Sequence, residues 1–211
     1  MRGRSKLLPV PYFMQPTAIT CQSTVLKMMA SYLEQYVVKK PDGALALSIP
    51  AIWSELNESK ARPIKARNAH GNFKWWLETR FPQLRVEQRT LHDEIAAIEY
   101  VVASIDAAYP VLASVSHENV KGHIVLIVGY VDYLPHMSTE GQAIVVHDPY
   151  GAFDPSLGSK LWGKRRGEGG MSLVGGGESA PGRNVSLPMS SLSRHRVGDA
   201  RFGNYEFLTL R

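Results

Sequence analysis

The chain has 211 residues, 44% apolar and 20% charged, a balance that excludes a disordered or fibrous protein and suits one folded domain with a sizeable core. A formal net charge of +5 favours anionic surfaces or polyanionic substrates through long-range attraction. It comes with no RNP signature, zinc-finger spacing or basic heptad region, so no nucleic-acid partner is expected.

The single cysteine, Cys21, excludes an internal disulfide and leaves the redox compartment open. Residues 1–6 are basic like the start of a secretory leader, but residues 7–11 are too short and proline-broken to continue one. No apolar run approaches a membrane-spanning length. The expectation is a protein made soluble in the cytoplasm, with export by a route that needs no cleaved leader left open.

Along the chain, a proline-punctuated extended segment (8–16) leads to helical spacing over 20–37. Val25, Met28, Met29, Tyr32 and Tyr36 fall on one predicted face. Thr20 is the candidate N-cap, which puts Cys21 in the first turn. Further helices are predicted over 48–56, with Pro50 tolerated in the first turn, over 71–81 and over 90–108. In the last, Ile95, Ile98, Val101, Val102 and Ile105 form an apolar stripe. The pattern then changes to short β-branched runs bounded by turn residues: PVLASVS (110–116), GHIVLIVGY (122–130) and AIVVH (143–147). They predict strands of one sheet, the middle one buried on both faces. Residues 151–182 hold ten glycines and predict a long loop or flap, while YEFLTL (205–210) predicts a last strand. Helices followed by a sheet give an α+β class in one domain over residues 1–211.

A thiol attacks as its thiolate, so a reactive cysteine needs a group that favours the anion. A helix N-terminus and a nearby imidazole both do so. Cys21 is predicted at a helix start, and His123 opens the buried strand right after Gly122. Asp148, ending the strand expected beside it, can orient the ring and stabilise its cation. Gln15, six positions earlier than Cys21, can offer its amide to a developing oxyanion together with the Cys21 backbone N–H.

The blocks VPYFMQ (10–15), Cys21, GHIVLIVGY (122–130) and HDPYG (147–151) resemble the C39-like branch of the papain-like cysteine peptidases. The resemblance runs in order over about residues 8–151. It implies a papain-like α+β fold with the Cys helix packed on an antiparallel sheet carrying His and Asp. It also implies Gln15 as oxyanion donor, Cys21 as nucleophile, His123 as base and Asp148 as orienting acid, with no metal or cofactor. The family usually has glycine after the nucleophile, where this chain has Gln22; its side chain is expected to narrow the cleft or to touch substrate. The stretch 132–141 reads as an insertion.

Each residue also has a plainer reading. Cys21 alone would be a buried hydrophobe, His123 a satisfied structural histidine, and Asp148 the start of an Asp-Pro turn. His147 competes for the third catalytic place, but strand alternation points it away from the Asp148 side. One of Trp75 and Trp76 is expected in the core. His70, His92, His117, His136 and His195 lack paired-ligand spacing, so no zinc site is expected. In the glycine-rich segment, Leu161 and Trp162 are candidates to cover the cleft and contact substrate, and Lys164, Arg165 and Arg166 to meet an anionic one; a surface insertion without a role is the alternative. Amide hydrolysis through a thioester is the expected reaction, with peptide stems of the bacterial cell wall as one substrate. The chain would then be a delivered antibacterial effector with an inhibitory partner protein. Processing of a single protein partner, transglutaminase-like acyl transfer and a non-catalytic peptide-binding module are the alternatives.

Overall fold

The computed structural model describes residues 3–17, 19–39, 47–66, 69–117, 120–135, 141–149, 182–189 and 205–211. Most of the glycine-rich stretch, with Trp162, lies outside them, as does the middle of the 132–141 stretch. Four helices are described: α1 (Cys21–Tyr32), α2 (Ile49–Asn57), α3 (His70–Arg80) and α4 (Glu94–Asp106). Seven strands form one antiparallel sheet: β1 (Arg4–Leu7), β2 (Val86–Leu91), β3 (Val111–His117), β4 (Val120–Tyr133), β5 (Ala143–His147), β6 (Val185–Pro188) and β7 (Tyr205–Leu210). The order is β2-β7-β3-β4-β5-β6, and β1 also pairs with β4. The class is α+β, with helices and strands more interleaved than a helical half followed by a sheet.

β4 is the spine of this sheet because its residues can be buried on both faces. Ile124 to Val128 is an unbroken apolar run, all of it buried. β5 takes positions 126–131 on one edge of β4, so β1, paired over 129–133, must share the other edge with β3. Gly129 permits that arrangement. A Cβ there would stand 2.5 Å from the Lys6 carbonyl oxygen and 3.1 Å from the Leu7 Cα, both backbone atoms that cannot swing aside. Gly129→Ala should therefore destabilise the fold by about 1–3 kcal/mol. Urea titration with hydrogen exchange on residues 4–7 tests this; an unchanged midpoint and unchanged exchange would show that β1 does not need the contact.

α1 packs against α2 and β4. The spacing of its apolar residues predicts one buried face, yet Cys21 to Leu26 and Met28 to Ala30 are all buried, so the helix is central rather than half-exposed. The chain continues past Tyr32 as a π-helical turn, Leu33–Val37, and Tyr36 is exposed. Ser48 caps α2 by accepting from the Ala51 N–H at 3.3 Å, and Pro50 sits in the first turn, where its missing N–H costs nothing. Trp76 is the buried member of the tryptophan pair. Its indole N–H donates to Glu55 at 2.7 Å, and Arg80 bonds the same carboxylate while stacking 4.3 Å over the ring, which locks α3 to α2.

The predicted helix over 90–108 is corrected at its start. Thr90 and Leu91 end β2, Asp93 caps α4 through the Ala96 N–H, and Ile95 is exposed instead of joining the apolar stripe. Tyr100 of α4 stacks on Phe207 of β7. Alternation along β3 sends Ser114 to the opposite face from Ala113, the register partner of Phe207. There His70, at the start of α3, lies 2.6 Å from the Ser114 hydroxyl and 2.7 Å from Glu206, tying the helix to two strands.

Candidate active site

The site is assembled by three parts of the chain that are distant in sequence. The first is the start of α1. The Thr20 N–H and hydroxyl both reach the Thr17 carbonyl, at 3.3 and 3.0 Å. Thr20 stands at the N-cap position, but with its hydroxyl committed to Thr17 it makes no side-chain cap. The first helical hydrogen bond is Thr24 N–H to the Thr20 carbonyl. Cys21 thus lies in the first turn, where amide N–H groups point out of the helix and favour negative charge.

The second part is His123, near the start of β4 opposite Val115, just where the β3–β4 register shifts. Such irregularities re-aim side chains. The third is Asp148, one residue beyond β5. Because Leu126 pairs with His147, the next pair in register would be Val125 with Asp148. Side chains alternate along a strand, so Asp148 shares the face of Val125 and His123, and His147 takes the other. His123 Nε2 and Asp148 Oδ1 are 2.8 Å apart, and both side chains are almost completely buried.

That pair leaves Nδ1 of His123 for the sulfur of Cys21, which hydrogen-bonds the ring. Burial works against a charge on His123, but the Asp148 carboxylate outweighs it by charge and hydrogen bond, and the Cys21 sulfur adds to the effect. The ring is pushed up to about 10. At neutral pH the geometry therefore favours an imidazolium between a carboxylate and a sulfur. The thiol also donates to Gln22 Oε1 at 3.3 Å. Gln22 is buried, so it packs on the sulfur rather than facing an open cleft.

Gln15 is also buried, and its Nε2 donates to the Thr17 carbonyl at 2.7 Å, while its Oε1 has no hydrogen-bond partner. The bond to Thr17 holds one amide hydrogen and fixes the plane of the group. Its backbone N–H donates to the Pro149 carbonyl at 2.9 Å, which sets Gln15 beside the end of β5.

Two residues that frame the site carry no chemical signal of their own. Tyr12 donates its hydroxyl to the Asp148 carbonyl at 2.9 Å. His147 donates from Nε2 to the Val10 carbonyl at 2.9 Å and accepts the Asn184 N–H on Nδ1 at 3.2 Å. Both nitrogens are thus engaged in the neutral form, and burial pushes the ring below its ordinary value. His147 fastens the leading segment, with both ring nitrogens engaged away from the place that Asp148 takes beside His123. Among the described residues, no group of three or more His, Cys, Asp or Glu side chains could hold a metal ion, and no helix is long and apolar enough to cross a membrane.

No curated protein matches the sequence. Among solved structures, the fold is similar to that of a C39-like peptidase from Bacillus anthracis, at 13% identity and a TM-score of 0.56, over 99% of this chain and 98% of the other. The family model for the Peptidase_C39 like family matches residues 7–161, which span the extended leading segment, α1 and the strands bearing His123 and Asp148. The chain belongs to the Peptidase_C39 like family.

Proposed function

We propose that this chain is a cysteine peptidase or amidase, with Cys21 as nucleophile, His123 as general base and Asp148 as the residue that orients the ring. The observation that carries the reading is the buried 2.8 Å bond between His123 Nε2 and Asp148, which turns the other ring nitrogen to the sulfur at the start of α1. Family membership supports the same class of reaction.

In this reading the Cys21 proton already resides on His123 as a thiolate–imidazolium pair, and the thiolate adds to the carbonyl carbon of a peptide or amide bond. The tetrahedral oxyanion is met by the Cys21 backbone N–H and by the second Nε2 hydrogen of Gln15, whose first is held by Thr17. His123 returns the proton to the departing amine, leaving a thioester on Cys21 that water then hydrolyses. Gln15→Ala should lower kcat about 10²-fold or more with little change in KM, since an oxyanion donor acts in the transition state. Equal kcat values in the two proteins would remove Gln15 from the site.

For substrate, the net charge of +5 favours peptide stems of the anionic bacterial cell wall. An enzyme delivered against that substrate would need an inhibitory partner protein in the producing cell. The deciding experiment incubates the protein with purified peptidoglycan, with a denatured-protein mixture, and with each plus a primary amine, and identifies products by mass spectrometry. Released stem peptides support the cell-wall reading, and cleaved protein supports processing. Amine adducts indicate acyl transfer. No product from any mixture would reduce the chain to a peptide-binding module.

A further inference from the structure

Asp148 is held by its backbone as well as by its carboxylate. Its N–H donates to the Gly182 carbonyl at 2.9 Å, and its own carbonyl accepts the Tyr12 hydroxyl at 2.9 Å. Both struts come from segments that the buried His147 also grips. On one side its Nε2 donates to the Val10 carbonyl at 2.9 Å, and the Tyr12 ring stands edge-on to the imidazole, centroids 5.5 Å apart. On the other, its Nδ1 accepts the Asn184 N–H at 3.2 Å, two positions from Gly182. The partners dictate the tautomer, since a carbonyl needs a donor at Nε2 and an N–H needs a lone pair at Nδ1. Only the neutral ring supplies both.

Resting on the reading of Asp148 as the residue that orients His123, we propose that His147 is a positioning residue for Asp148, and that one proton taken up by His147 in mild acid undoes the Gly182 strut. The proton comes from solvent and adds to the Nδ1 lone pair. That nitrogen then faces the Asn184 N–H as a second donor, so their bond is lost while the bond to Val10 survives. Asn184 holds φ at 52°, in the left-handed region, and its bond to the ring helps to keep it there. Without that bond residues 182–184 relax, and the Gly182 carbonyl draws away from the Asp148 N–H. His123 then loses part of the fixed orientation that turns its other nitrogen to the Cys21 sulfur.

The surroundings of the ring set the pH at which this happens. Burial opposes a charge on His147, the Val10 and Val146 carbonyls favour one, and the Arg183 cation opposes it, with the ring held below its ordinary value. From the leading segment the titratable neighbour is Tyr12, and β4 sets the apolar Leu126 opposite. The Asp148 carboxylate lies on the other face of the sheet, bound to His123. His147 is therefore neutral at pH 7 and takes up its proton below about pH 6.5. His123, pushed up to about 10, keeps its own proton throughout that range and cannot produce the same transition.

The test follows two signals between about pH 4.5 and 8 in wild type, His147→Gln, His147→Leu and Asp148→Asn. Glutamine offers one donor and one acceptor but does not titrate, whereas leucine fills the space with neither. The first signal is the Asn184 amide resonance in ¹⁵N-labelled protein. In wild type it should move with a midpoint below about pH 6.5, and in His147→Gln it should stay still. The second is the rate at which iodoacetamide labels Cys21. Across the Asn184 transition the wild-type rate should fall roughly tenfold relative to His147→Gln, the scale of one hydrogen bond. His147→Leu should label slowly at every pH, and the glutamine variant should restore the rate at pH 7. An Asn184 resonance that ignores pH in wild type overturns the proposal without recourse to any variant. So do labelling profiles of wild type and His147→Gln that superimpose while Asp148→Asn labels slowly, a result that leaves the catalytic reading intact. If Asp148→Asn labels like wild type, the reading of Asp148 fails and the proposal falls with it.

Discussion

Cys21→Ala should reduce peptide-bond hydrolysis by a factor on the order of 10⁵ to 10⁶, the scale seen when a nucleophile acting as part of a unit is removed. The loss should lie in chemistry and not in folding. Cys21 is buried, but trading its sulfur for a hydrogen removes one atom from a helix that alanine favours, a change expected to cost only about 1 kcal/mol. Thermal melts followed by circular dichroism would confirm that the fold is kept while the same samples are assayed. The chain has no other cysteine, so a thiol-specific reagent that consumes activity must act at this sulfur, and intact mass should show a single adduct. Full turnover by the alanine variant would mean that hydrolysis occurs elsewhere on the protein.

The second large effect is expected from Asp148→Asn. The carboxylate holds His123 up against burial, so its removal leaves burial dominant, and the ring should then titrate below its ordinary value. At pH 7 the variant should carry a neutral imidazole with its orientation lost. We expect kcat to fall about 10³- to 10⁴-fold with a smaller change in KM.

The same substitution predicts a pH signature in stability. A histidine raised in the fold adds stability that is complete below about pH 6.5, its ordinary value, and is lost as pH climbs through about 10. The gap in urea midpoint between wild type and Asp148→Asn should therefore be widest at pH 6 and narrow progressively up to pH 10.5. A gap that stays constant over that range would show that His123 is not held protonated by Asp148.

What could be read beforehand follows from where the physical signal sits. The apolar runs of β3, β4 and β5 announce themselves, and alternation turns His147 away from Asp148, but His123 and Asp148 share a face through the β4–β5 register, which no single run carries. The strands missed are polar ones. RSKL in β1 is largely exposed, and VEQRTL in β2 has only Val86 fully buried. These become strands because β4 and β7 offer them open backbone partners, which is a property of distant residues. β6, also missed, is a four-residue strand, VSLP, paired to β5. Ile95 misleads for the opposite reason: it matches the helical period of α4 but precedes the stretch that meets the sheet. The fold of Gln22 over the thiol has no sequence signature at all, since an ideal helix keeps adjacent side chains apart. Tyr12 and His147 brace Asp148 through backbone carbonyls, which any residue supplies.

The brace has a consequence for how the protein is made. The contacts that hold residues 10–12 against the end of β5 join groups 136 and 137 positions apart in the chain. On a ribosome adding about 5–20 residues per second, the thiol-bearing segment waits roughly six to twenty-five seconds for the strand that completes its surroundings. During that interval Cys21 has neither its imidazole nor the strut that orients it. A nascent chain is thus chemically quiet toward its neighbours, and reactivity arrives as a late step of biogenesis. Chains truncated before residue 148 should emerge with an ordinary thiol, so that premature termination releases an inert fragment rather than an unregulated hydrolase.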